Sequence, residues 1–213
     1  MWLLQMLIFC YCIIVSVRLV QLQKYKVFPD VYHIQKPTEY QSTSLQPVIL
    51  YYPQFQVRKP QSTDKVFLQD QQFSFSSYPK NTCFLYKASI PNLVYPTLPF
   101  TYEENILLPP QQFVSIISGN HVTTIQKNIH NYQWILTVEG YSTTYLLNPE
   151  INDKDNYKTQ GIKTILQPNT FLSIPPHWSY VQEISDKLIQ YHYEIDDVFT
   201  FVPNWIKKNM FHK

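Results

Sequence analysis

Thr164 to Glu183 reads TILQPNTFLSIPPHWSYVQE, and this stretch decides the fold. Leu166 to Asn169 supply a hydrophobic approach and a Pro-containing turn. Thr170 to Ile174 form a short apolar strand, which Pro175 and Pro176 break because proline has no N–H to give to a sheet ladder. His177 and Trp178 follow, and Ser179 to Val181 resume a strand pattern. Strand, rigid elbow with an aromatic, and second strand predict the corner of a small β-barrel.

Outward from this corner the same pattern recurs. Val114 to Ile117 reads as a strand, Ser118-Gly119-Asn120 as a turn, and Val122 to Ile125 and Trp134 to Val138 as strands. Glu139-Gly140 is a tight turn into Tyr141 to Leu147. Strands joined by such short turns predict an antiparallel meander. Ile151 to Gly161 is charged and reads as a surface loop, while Leu188 to Tyr193 and Val198 to Val202 read as further strands. Upstream, VILYY from Val48, KVFLQ from Lys65, FSFSSY from Phe73 and CFLYKASI from Cys83 are β-branched and aromatic runs. Five prolines between Pro91 and Pro110 exclude a helix there, and Asn204 to Lys213 predicts a short basic helix.

Composition removes several function classes. The chain has 213 residues, enough for one domain plus an appendage. An aromatic fraction of 16% argues against disorder. Only 3 Gly stand against 16 Pro, so phosphate-cradling Gly-rich loops are excluded. A net charge of +2 without a basic stripe excludes nucleic acid as a partner. Cys10 and Cys12 lie in the apolar N-terminus and Cys83 stands alone, which leaves neither a disulfide framework nor a cysteine zinc site. Together with the lack of an Asn-x-Ser/Thr sequon, this fits a reducing compartment.

Trp2 to Val20 is apolar apart from Gln5, Ser16 and Arg18, with its core at Met6 to Val17. A bilayer span takes about 20 such residues, and this segment reaches the lower limit if Arg18 snorkels. No basic region precedes it and no small-x-small site follows, so a transmembrane anchor is predicted over a cleaved signal. The expected division is 1–22 as membrane helix, 23–46 as linker and 47–213 as the barrel domain. Arg18, Lys24, Lys26 and Lys36 all follow the segment, which places that domain on the cytoplasmic side of a single-pass membrane protein. The expected partners are a lipid bilayer through residues 2–20 and an unnamed protein.

Two passages carry a resemblance: SGNHVTTIQKNIHNYQWILTVEGYSTTYLLNP from Ser118 and QPNTFLSIPPHWSYVQ from Gln167. From Val114 to Tyr193 the chain resembles the cupin-like and JmjC-type 2-oxoglutarate oxygenases. The resemblance implies a mainly β fold, a double-stranded β-helix or jelly roll. Gly119, Thr124, Gly140 and Pro149 stand at matching places. Aligned without gaps, the family's His-x-acid positions fall on Lys127 and Ile129, and its distal His on Tyr180. The lysine that holds the 2-oxoglutarate carboxylate falls on Ser142.

A non-haem Fe(II) centre needs two neutral imidazoles and a carboxylate on one face. Lys127 would set a cation against a cation, Ile129 has no lone pair, and Tyr180 would ligate only as a phenolate. The resemblance therefore implies a degenerate cupin with no metal and no cofactor. Thr124, Trp134, His130, His177 and Trp178 remain as candidate pocket residues. His121, His130, His177 and His192 are the set from which a rearranged site at a barrel mouth would be built; singly, each reads as a hydrogen-bonded or rim histidine. Ser173 and Ser179 lack a nucleophile elbow, and Asp153, Asp155, Asp196 and Asp197 form no calcium loop. Asp196-Asp197 reads as a strand end, and Cys83 as a buried small hydrophobe. Two functions stay open: a membrane-anchored, non-catalytic cupin-like binding or structural module, and an Fe(II)/2-oxoglutarate-type oxygenase or other metal-dependent cupin enzyme with relocated ligands.

Overall fold

Runs of β-branched and aromatic residues suit a pleated, half-buried backbone, and the computed structural model follows them. It describes residues 2–23, 30–40, 46–55, 59, 65–68, 71–74, 86–88, 98–99, 110–150, 156–197 and 201. Helix α1 spans Trp2–Gln23. Strands β1 (Tyr32–Ile34), β2 (Val48–Tyr51), β3 (Lys65–Leu68), β4 (Gln71–Ser74) and β5 (Tyr86–Ala88) come next. Then follow β6 (Gln111–Ser118), β7 (His121–Val122), β8 (Gln126–Lys127), β9 (Tyr132–Glu139) and β10 (Ser142–Leu147). A short helix α2 (Tyr157–Gln160) precedes β11 (Ile162–Leu166), β12 (Thr170–Ile174), β13 (Ser179–Ile184) and β14 (Lys187–Ile195).

Two open sheets face each other. The larger has the order β1-β2-β12-β9-β14-β6-β5, and the smaller β11-β10-β13-β7, with β8 also on β13. Strands β3 and β4 form a separate antiparallel pair. Period-two alternation gives the large sheet two different faces. One carries Trp134, Leu136 and Val138 of β9 with Ile189, Tyr191, Tyr193 and Ile195 of β14. Ile34, Tyr40, Tyr52, Phe55 and Leu98 pack onto that face. The other face turns to the small sheet, where Ile135, Leu172 and Ile174 meet Leu146, Leu166 and Tyr180. Each such fully buried aliphatic side chain contributes about 1.5–3 kcal/mol.

The predicted meander does not form. β9 and β10 sit in different sheets, so Glu139-Gly140 is a corner between layers rather than a hairpin. Gly140 takes φ +85°, and any Cβ there would run into the Lys187 carbonyl. Only glycine allows this approach. Of the strand expected at Val122 to Ile125 only Val122 is in a strand, at the end of β7; Thr123 to Ile125 connect it to β8, and β7 and β8 both pair with β13. The second half of the charged loop is α2, pinned by Glu183, which accepts from Tyr145, Tyr157 and Lys158. Within the stretch read as linker, β1 pairs in parallel with β2 and Tyr40 enters the core. The strand at Val198 to Val202, apart from helical Phe201, the tail helix from Asn204, and Cys83 lie outside the described residues, as does the Pro91 to Pro110 connector apart from 98–99 and 110.

Two larger expectations need correction. A closed cupin-like double-stranded β-helix, or jelly-roll barrel, is not formed: β1 and β5 end one sheet, β11 and β7 the other, and no sheet of the described residues closes on itself. The chain has mixed helix and strand content instead. The predicted transmembrane anchor also fails, since among the described residues no helix is long and apolar enough to cross a membrane. Gln5, Ser16 and Arg18 interrupt the apolar run along α1. With no crossing helix there, the lipid-bilayer partner and the single-pass, cytoplasmic-side topology lose their basis; the basic residues after Val17 have no span to orient.

Candidate functional site

The apolar residues of β14 point to one face of the large sheet, and Gln190, His192 and Glu194 alternate with them. These polar side chains are buried. Gln190 donates from Nε2 to Thr137 Oγ1 at 3.1 Å. His192 Nε2 lies 2.7 Å from Ser115 Oγ, and its ring stacks on Phe113 with centroids 4.7 Å apart. From the small sheet, Gln182 donates to Ser142 Oγ and Thr144 Oγ1, each at 3.4 Å. A buried polar layer therefore accompanies the apolar contacts between the sheets.

At one end this layer becomes ionic. The chain between β8 and β9 is fixed by Asn128, whose Nδ2 donates to Ile174 O at 2.7 Å and whose Oδ1 accepts from His130 N at 2.8 Å. Asn128 N donates to Trp178 O, and Asn128 O accepts from His177 N. The IPPHW elbow is thus tied to this loop, and His177 takes φ +68° in the turn. The tie presents the His130 ring to the end of β14. Its Nδ1 lies 2.9 Å from Asp196 Oδ2, and its Nε2 3.2 Å from Glu194 Oε2. Next to it, Asn131 Nδ2 donates to Asp197 Oδ2 at 2.7 Å.

Burial alone would push the His130 pKa down. The hydrogen bonds to Asp196 and Glu194, and the charges of both, outweigh it and raise the pKa to about 9. At neutral pH the ring is an imidazolium, hydrogen-bonded through Nδ1 to Asp196 and ion-paired through Nε2 with Glu194. It has no lone pair for a metal and is no general base.

Tyr180 continues the polar chain. Its Oη accepts from Gln133 Nε2 at 3.4 Å and donates to Gln126 Oε1. Burial, then the nearby Glu194 charge, raises its pKa, and the Gln133 hydrogen bond offsets only part of this. The phenol stays neutral, so the phenolate ligand considered from sequence does not exist at physiological pH.

The other sequence-derived positions scatter. Lys127 is exposed, in register with Ser179, and its neighbour Gln126 is the residue that reaches Tyr180. Ile129 is half-buried and Thr124 exposed. Ser142 lies in the polar layer. Trp134 is on the opposite face of the large sheet, donating from Nε1 to Ser173 Oγ at 2.9 Å and Tyr40 Oη at 3.2 Å. Trp178 is buried in the apolar cluster between the sheets. His121 stands on β7, while His130 and His192 have separate partners. Among the described residues no group of three or more His, Cys, Asp or Glu side chains can hold a metal ion. The metal-dependent enzyme with relocated ligands is corrected on that finding, since His130 uses both nitrogens on carboxylates. Sequence reasoning missed Glu194, Gln133, Gln190 and Asn128; the polar stripe Gln190, His192, Glu194 within an apolar strand was the available signal.

No model of a known protein family matches the chain, and no curated protein matches it. Solved structures match distantly and in part. A cupin superfamily protein from Desulfitobacterium hafniense is 9% identical, over 57% of this chain and 84% of that one, with a TM-score of 0.37. CENP-C of Drosophila melanogaster is 11% identical over 51% and 71%, with a TM-score of 0.33. Salicylate 1,2-dioxygenase from Pseudoaminobacter salicylatoxidans is 9% identical over 46% and 22%, with a TM-score of 0.35. Likenesses this weak transfer neither activity nor residue roles to the chain. The resemblance to a degenerate JmjC-type oxygenase with a membrane anchor is corrected accordingly, to a distant and partial likeness to cupin-superfamily proteins.

Proposed function

We propose that the two-sheet body is an assembly module, working through its outer surfaces on other protein chains, and that its buried polar layer holds its shape. The reading needs neither a bilayer nor a metal. One observation carries it: His130, the interior group best suited to acid–base or metal chemistry, has both nitrogens committed to Glu194 and Asp196. Separating the members of such a pair leaves buried charge uncompensated, so it favours the arrangement of strands that brings them together. The neutral Tyr180 phenol between Gln133 and Gln126 plays the same part across the two sheets.

The test is an NMR titration of the His130 side chain, combined with calorimetric titration of the full chain with Zn²⁺ and Fe²⁺. The expected result is a doubly protonated ring up to about pH 9 and no stoichiometric metal uptake. An imidazole titrating near 6.5, or metal uptake that His130→Gln removes, would overturn the reading.

A further inference from the structure

Beyond its pairing with β10, β11 has no hydrogen-bonded neighbour among the described residues. Among the described residues it is an edge strand of the small sheet. Natural edges are usually blunted by charge, proline or a bulge. Here Ile162–Leu166 (IKTIL) has an unbroken register, no proline, and one charge, Lys163. Ile165 is 62% exposed.

The large sheet also ends on this side. β11 leads into β12, which pairs with β2, which pairs with β1. Val31, just before β1, and Ile162 of β11 both pack on the same cluster between the sheets. Both sheets therefore end at one rim. Outside α1, the exposed large apolar residues among those described are Tyr32, Tyr51, Val122, Tyr141 and Ile165. Three of the five belong to β1, β2 and β11.

We infer that this rim takes a second copy of the chain, with β11 pairing antiparallel to β11 of that copy about a two-fold axis at Thr164. The sequence of the edge is self-complementary in this register. Thr164 meets Thr164, a favourable cross-strand pair. Lys163 lies opposite Ile165, so the single charge never faces itself directly, and its aliphatic stem covers the exposed Ile165. Ile162 lies opposite Leu166. The contact is isologous and closes after two subunits. Five residues of strand fall short of the roughly 800 Å² per partner of a stable interface, so the association is weak and depends on concentration. What the interior does is immaterial to this contact.

The test uses the full chain. Sedimentation over a range of concentrations reads the monomer–dimer equilibrium, and far-UV circular dichroism checks that each variant folds. Ile165→Lys sets like charges opposite each other twice and should weaken the dimer roughly tenfold or more. Ile165→Glu faces Lys163 and should leave the dimer intact. Because α1 is also exposed and apolar, oxidation of Thr164→Cys provides a position-specific check. It should yield a covalent dimer faster than Ile162→Cys or the unsubstituted chain. A monomer at every concentration, equal effects of the two Ile165 variants, or faster cross-linking from Ile162→Cys would each overturn the inference.

Discussion

His130 Nδ1 lies 2.9 Å from Asp196 Oδ2, although 66 residues separate the two in the chain. This pair, with Glu194 on the other ring nitrogen, ties the entrance of β9 to the exit of β14. Replacing His130 by Ala leaves two buried carboxylates without their cation. The expected loss is about 3–5 kcal/mol of folding stability, read as a lower urea midpoint at pH 7.

The same pair sets a pH dependence. The folded-state pKa of His130, about 9, lies above the ordinary histidine value of 6.5. Its contribution is fully present below pH 6.5 and disappears as the pH rises through 9. The contribution is on the order of 3 kcal/mol. Urea unfolding at pH 6.5 and pH 10 should show the loss, and His130→Gln should flatten it.

Gly140 sits at the corner between the sheets with φ +85°, beneath the Lys187 carbonyl. Gly140→Ala forces the corner away from β14 and combines backbone strain with a steric clash. The expected cost is at least about 2 kcal/mol, visible as a drop in Tm.

Tyr40 provides a milder case. Its hydroxyl accepts from Trp134 Nε1 and lies 3.2 Å from Ser173 Oγ, and burial pushes its pKa up to about 12 despite both hydrogen bonds. Tyr40→Phe keeps the edge-on ring contact with Trp134 and removes the hydroxyl. A loss of about 0.5–1.5 kcal/mol is expected, with a changed tryptophan fluorescence maximum as the second readout.

Strand positions were legible because runs such as β9 and β12 are apolar and bounded by Asn on one side and Gly or Pro on the other, and local chemistry dictates that pattern. Sheet membership was not. Gly140 has the local appearance of a hairpin turn, and only β14, far along the chain, makes it a corner. Phase was equally fragile. Lys127 and Gln126 are adjacent, yet the first faces solvent and the second reaches Tyr180, because a shift of one residue on a strand exchanges its faces. His130 was named from the sequence, but its pairing with Glu194 and Asp196 was not, because the three come from two distant segments. The apolar N-terminus looked like a span by composition, yet among the described residues no helix is long and apolar enough to cross a membrane.

The position of β14 between β9 and β6 also bears on how the molecule is made. Until residue 195 has been synthesised, no described strand joins the two halves of the large sheet, and β9 and β6 each keep an edge open to wrong neighbours. Nascent chains of this protein should therefore depend on chaperones until late in translation, and premature stops upstream of Lys187 should yield insoluble products rather than shortened working ones.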